Sequence, residues 1–146
     1  MAHFAELDIN NKVLKVVVAC NQDIANNGGE QSAQAAEHFK TVCPLSENGV
    51  KWVQTSYNNN FRKQYAVRGM YYNENKDKFI TSQPFASWSL DANDDWQAPV
   101  ARPNIFNKPN SEELVVPIKW DETNQRWLSE NEQYVWNSST NSWDLV

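Results

Sequence analysis

Two histidines, two cysteines and a knot of aspartates are the residues of this chain best suited to chemistry. His3 lies near the terminus and His38 beside a helical stripe, with Cys43 five residues further on. That separation is poor for one helical face, and a nucleophile–base pair needs its partners positioned together. No HExxH, P-loop, GxGxxG or GxSxG string occurs. Cys20 and Cys43 lack CxxC spacing and read as two buried, reduced thiols, with a disulfide between them left open. Asp91, Asp94 and Asp95 could face a calcium ion, but the twelve-residue loop ending in Glu is missing, so they read as a solvated turn. The chain is therefore expected not to be an enzyme, and to hold no metal and no cofactor.

Arg62, Lys63 and Arg68 stand among aromatic residues, a pattern that can bind single-stranded nucleic acid. The formal charge of −5 opposes it, because phosphate backbones and anionic lipids both want a basic patch. Cation–π and ion-pair roles inside the fold are expected instead. Neither nucleic acid nor membrane is expected as a partner. No apolar run approaches the roughly 20 residues that span a bilayer, and Met1-Ala2-His3-Phe4 has no signal-peptide character. Synthesis in a cytoplasm, with no export signal, is the expectation.

What the chain does carry is aromatic rings: seven Trp, five Tyr and six Phe, against four Gly. Trp120 and Trp127 are seven apart, and so are Trp136 and Trp143. Two-residue turns at Thr123-Asn124 and Ser139-Thr140 would set each pair directly opposite across a hairpin, with Asp121 opposite Arg126 on the other face. Cross-strand aromatic pairs contribute roughly 0.2–1 kcal/mol, and a lone hairpin is marginal in water. These hairpins need something to dock on. Trp120, Trp127, Trp136, Trp143, Arg126 and Tyr134 are the candidate interaction residues, for a protein interface or a sugar platform.

The other elements follow from pattern. Residues 3–20 read as a hairpin turning at Asn10-Asn11, pairing Leu7 with Leu14, Ala5 with Val16 and Glu6 with Lys15. Residues 21–29 read as a loop. Glu30 to about Cys43 reads as a helix with Ala36, Phe39 and Cys43 on one stripe and Ser32 as its polar exception, ended by Pro44. Val50 to Tyr57 is strand-like. Tyr72 and Phe79 repeat the seven-residue spacing, and Trp88 and Trp96 suit a hairpin around Ala92. The expected fold is α+β, mostly β: an N-terminal hairpin with one packed helix, then several aromatic-paired hairpins. Leu7, Leu14, Val16, Phe39 and Trp52 are expected in one core. Proline at positions 99, 103, 109 and 117 marks an extended connection. Residues 1–98 are expected as a core, 99–117 as a linker and 118–146 as an appendage that serves docking more than folding.

A longer block of motifs then carries a family resemblance. It includes Trp-Val-Gln-Thr-Ser-Tyr-Asn at 52–58, Arg62-Lys63, Tyr65-Ala66, Gly69, Tyr71-Tyr72, Asp77 and Phe79. It continues with Gln83-Pro84-Phe85, Ser87-Trp88-Ser89-Leu90, Trp96 and Ala98-Pro99-Val100, and with Met1-Ala2-His3-Phe4-Ala5, Trp120-Asp121-Glu122 and Trp127 at the ends. This string resembles a family of small proteins encoded by tailed bacteriophages, especially those of marine cyanobacteria and other marine bacteria. Asn93-Asp94-Asp95 departs from the pattern, where a Cys is common, and the hairpin at 136–143 is additional. The resemblance implies a structural protein of the virion with no catalytic residues. Its implied partners are capsid, neck, tail or fibre proteins, or a second copy of itself. The alternative from a different class is a carbohydrate-binding module that adsorbs to a host-surface glycan.

Overall fold

Strand β1 (Ala2–Leu7) is covered on both of its faces, and the rest of the first half is built around it. It lies between β2 (Val13–Ala19) and β3 (Lys51–Thr55) in an antiparallel sheet of order β2-β1-β3. Side chains alternate across a strand, so one face carries Phe4, Glu6, Val17 and Trp52, and the other Ala5, Leu7, Val16 and Val53. Phe4 and Trp52 pack against Phe39, Ile24 and Ala35 from the helices. Ala5, Leu7 and Val53 pack against Val13, Ala66 and Phe79. The single core expected around Leu7, Phe39 and Trp52 is thus two cores, one per face. Leu14 belongs to neither and is half-buried.

The computed structural model describes residues 1–103 and 117–146. It is mostly β, as expected. The first hairpin pairs Ala5 with Val16 and Glu6 with Lys15, but Leu7 meets Val13 across a bulge, not Leu14. The turn also differs. Asp8 Oδ1 accepts the N–H groups of Asn10 and Lys12 at 2.8 and 2.9 Å, and Asn11 takes a φ of 62°. That loop holds an odd residue, which forces the register to slip.

Two helices are present among the described residues. The six residues of α1 (Asn21–Asn26), expected as loop, bury Ile24. The expected packed helix is α2 (Ala33–Val42), begun by Ser32, whose hydroxyl accepts the Ala35 N–H at 3.0 Å. Ser32 is therefore the N-cap, and Ala35 with Phe39 forms the buried stripe. Trp52 donates to the Cys43 carbonyl at 3.1 Å, tying the helix end to the sheet. Cys20 is exposed, contrary to expectation, Cys43 is half-buried, and both are free thiols.

The hairpin of β4 (Tyr71–Asn73) and β5 (Lys78–Ile80) sets Tyr72 opposite Phe79 as the spacing predicts. In the next, β6 (Ser89–Leu90) and β7 (Trp96–Gln97), Trp96 faces Leu90 and not Trp88. The chain divides into two compact units at Ser82/Gln83, well before the boundary expected after residue 98. Phe85, Trp88, Ala98 and Val100 pack with the C-terminal tryptophans, so they belong to the second unit. Most of the expected linker, 104–116, lies outside the described residues.

Candidate functional site

The second unit is organised by a four-stranded antiparallel sheet of β8 (Ile118–Asp121), β9 (Arg126–Ser129), β10 (Tyr134–Asn137) and β11 (Ser142–Leu145). Trp120 stands opposite Trp127, Asp121 opposite Arg126, and Trp136 opposite Trp143, the pairings that the spacing predicts. Leu128 pairs with Val135 between the two hairpins. By alternation, all four tryptophans and Tyr134 then share one face. Neither loop is a two-residue turn, however. Four residues separate Asp121 from Arg126 and Asn137 from Ser142.

These loops follow one scheme, shared with residues 74–77 of the first unit. An Asx side chain begins each and accepts a backbone N–H three residues on: Asn73 from Lys76 at 3.0 Å, Asp121 from Asn124 at 3.3 Å, Asn137 from Thr140 at 3.3 Å. Each ends in a left-handed residue, Asp77 (φ 49°), Gln125 (φ 48°) and Asn141 (φ 52°). Asx side chains favour this because they can imitate a backbone turn.

The aromatic face is covered from within the unit. Trp120, Trp127 and Trp143 are buried, at 7, 5 and 1% exposure, packed with Phe85, Trp88, Ala98 and Val100. Trp120 meets Trp127 edge-to-face at 5.1 Å, and Trp88 meets them at 6.2 and 5.9 Å. Two of the indoles are pinned by their N–H groups. Trp120 donates to Glu122 Oε2 at 2.7 Å, and Trp127 to the Val100 carbonyl at 2.8 Å. Glu122 also accepts from the Ser87 N–H and hydroxyl at 2.8 and 2.6 Å. Those bonds hold its carboxyl below the usual range. Trp88 Nε1–H is buried without an acceptor among the described residues.

Of the candidate residues, then, three tryptophans are core. Trp136, Tyr134 and Arg126 are half-exposed, and Arg126 donates to Asp121 Oδ2 at 3.0 Å. Beside the pinned rings runs an open cleft of about 470 Å³, walled by Phe85, Trp88, Trp96, Trp120 and Trp127. Arg102 lines it too, exposed, with its guanidinium 5.9 Å from the centre of the Trp127 ring. Sequence reasoning does not reach Phe85 or Arg102 as neighbours of the tryptophans, because no periodicity links them. The only signal is the aromatic content of residues 85–96.

Asp91 and Arg62 are engaged locally. Asp91 Oδ1 accepts the N–H groups of Asn93 and Asp95 at 2.8 and 3.0 Å, the scheme already seen at Asp8. Its carboxylate therefore organises a turn, in which Asp94 is buried. Among the described residues no group of three or more His, Cys, Asp or Glu gathers as a metal site. Arg62 donates to Asp77 Oδ1 at 2.7 Å and to the Gln54 carbonyl at 2.8 Å, and lies over the Phe61 and Tyr72 rings. These are the internal ion-pair and cation–π roles expected of it. Burial, with the hydrogen bond to Asp77, pushes the Tyr72 hydroxyl up to about 12. No described helix is long and apolar enough to cross a membrane. Comparison with family models, with curated proteins and with solved structures finds no match for the chain.

Proposed function

We propose that the chain is a non-enzymatic binding component of a bacteriophage particle, joined to other virion proteins. The motif string running from Trp52 to Val100 supports this reading, since it resembles small structural proteins of tailed phages. Of the candidate residues, the half-exposed Trp136 and Tyr134 on the aromatic face and Arg126 on the other face remain for contact, because Trp120, Trp127 and Trp143 are committed to their own core. Mass spectrometry of density-purified particles of the encoding phage tests the idea. The chain should appear at a fixed molar ratio to the capsid protein. Its loss from particles washed at high purity overturns the reading.

A second reading is favoured by one observation, the aromatic cleft. The half-exposed rings of Phe85, Trp88 and Trp96, backed by the buried Trp120 and Trp127, suit the flat face of a sugar, and the cleft volume falls within the range of small-ligand sites. On this reading the chain is a carbohydrate-binding module that contacts a host-surface glycan. A glycan array run with gel filtration separates the two. Sugar binding by a monomer favours the second, and self-association without sugar binding favours the first.

A further inference from the structure

We infer that the cleft of the second unit takes an acidic pyranose, a uronate-type sugar whose carboxylate meets Arg102. This rests on the carbohydrate reading and names its ligand class. The walls come first. Trp120 and Trp127 are buried with their N–H groups spent on Glu122 and on the Val100 carbonyl, and the half-exposed Phe85, Trp88 and Trp96 present the cleft with apolar ring surface. Apolar ring surface pairs with a ligand that has a flat apolar face, such as a pyranose or a nucleobase. The buried Trp88 N–H lacks an acceptor among the described residues. A ligand oxygen seated beside that ring, with a small shift of the indole, supplies one.

Charge then narrows the class. The polar lining residues are Gln97, Arg102 and Lys119, and no carboxylate is among them. Lys119 is occupied by Glu132 at 2.6 Å. Arg102 makes no ion pair with any described carboxylate, and it stacks on Trp127 at the cleft wall. A planar guanidinium presents paired donors that match a carboxylate. An ammonium ligand, the usual guest of aromatic cages, would be repelled by it. A polyphosphate strand would put many charges against a chain of net charge −5. A sugar bearing one carboxylate per ring has the flat face, the hydroxyl acceptors and the isolated negative charge that the cleft complements.

The test uses the full chain, titrated with trigalacturonate and with galactotriose, its neutral counterpart, and followed by calorimetry and by the indole N–H resonances. The acidic trisaccharide should bind at least about tenfold more tightly, the scale of one charge-assisted contact. Arg102→Gln should erase that difference, weakening the acidic sugar at least about tenfold more than the neutral one. The resonances of Trp88, Trp120 and Trp127 should shift on binding, which places the ligand without any core substitution. Equal affinity for the two sugars, unaffected by Arg102→Gln, overturns the acidic ligand and leaves the carbohydrate reading standing. Binding of neither sugar overturns both, as does preferential binding of an oligothymidylate.

Discussion

Glu6 Oε1 accepts both the backbone N–H and the hydroxyl of Ser46, at 2.6 and 2.5 Å, across forty residues of sequence. Glu6 is fully buried on the central strand, on the same face as Phe4 and Trp52. Lys15 Nζ completes the arrangement 3.0 Å from Oε2, an ion pair without hydrogen-bond alignment, while lying over the Trp52 ring. The loop after α2 is therefore fastened to the middle of the sheet by a charge.

Burial alone would raise the Glu6 carboxyl, but the Ser46 hydrogen bonds and the Lys15 charge outweigh it, and the group ionises below its ordinary 4.5. A depressed carboxyl contributes stability that is complete above the unfolded value and is lost as pH falls through the folded one. Glu6→Gln should cost about 1–3 kcal/mol at pH 7, where it breaks a charged hydrogen-bond set. Below pH 4.5 the gap between the two proteins should close. Urea unfolding at a series of pH values measures it, and a gap independent of pH would refute the role given to the charge.

Gly49 is needed for space rather than for turning. A Cβ there would stand 1.8 Å from Glu6 Oε1, and that carboxylate is fixed by three partners and cannot move aside. Gly49→Ala should destabilise the first unit by roughly 1–3 kcal/mol, the usual cost of overpacking. In the Glu6→Ala background the same change should cost much less, and a double-mutant cycle reads the coupling.

Trp127→Ala should act on folding before it acts on any partner. The ring is buried among Trp88, Trp120 and Val100, so its removal should cost about 3–5 kcal/mol within the second unit. The first unit, Met1–Ser82, shares none of that cluster, and its unfolding transition should stay where it was. Calorimetry that shows both transitions moving together would mean the units fold as one.

Gln125 holds φ at 48° without the side chain that tolerates it best, whereas the equivalent loop positions are Asp77 and Asn141. Left-handed backbone costs an ordinary residue roughly 1–2 kcal/mol, part of which glycine would offset by its own entropy. Gln125→Gly should raise stability by about 0.5–1 kcal/mol. Thermal unfolding checks the sign, and Asn141→Gly serves as the comparison with a smaller gain.

The aromatic pairings were legible because an antiparallel hairpin with an even loop puts residues seven apart face to face whatever the turn type. That is why Trp120/Trp127 and Tyr72/Phe79 come out correctly even though the loops hold four residues and not two. Alternation misled at β1. Both of its faces are covered, so Glu6 and Leu7 are equally inside, and the polar–apolar pattern no longer marks a surface. The bulge that swaps Val13 for Leu14 depends on the Asp8 loop. In α1 a single buried Ile24 over six residues leaves no stripe to detect. The cleft was the least legible feature, since Arg102 and Phe85 reach it only through tertiary folding.

The repeated four-residue loops also set a clock. Each joins strands that are neighbours in sequence, and hairpins of that kind close within about 1–10 μs. The first unit must instead bring Ser46 back to Glu6 and β3 back beside β1, with the longer search that non-local pairing demands. In refolding from denaturant the hairpins of the second unit should thus close ahead of the pairing of β3 with β1. A refolding chain would spend its earliest moments with the C-terminal hairpins closed and the outer edge of β1 still without β3.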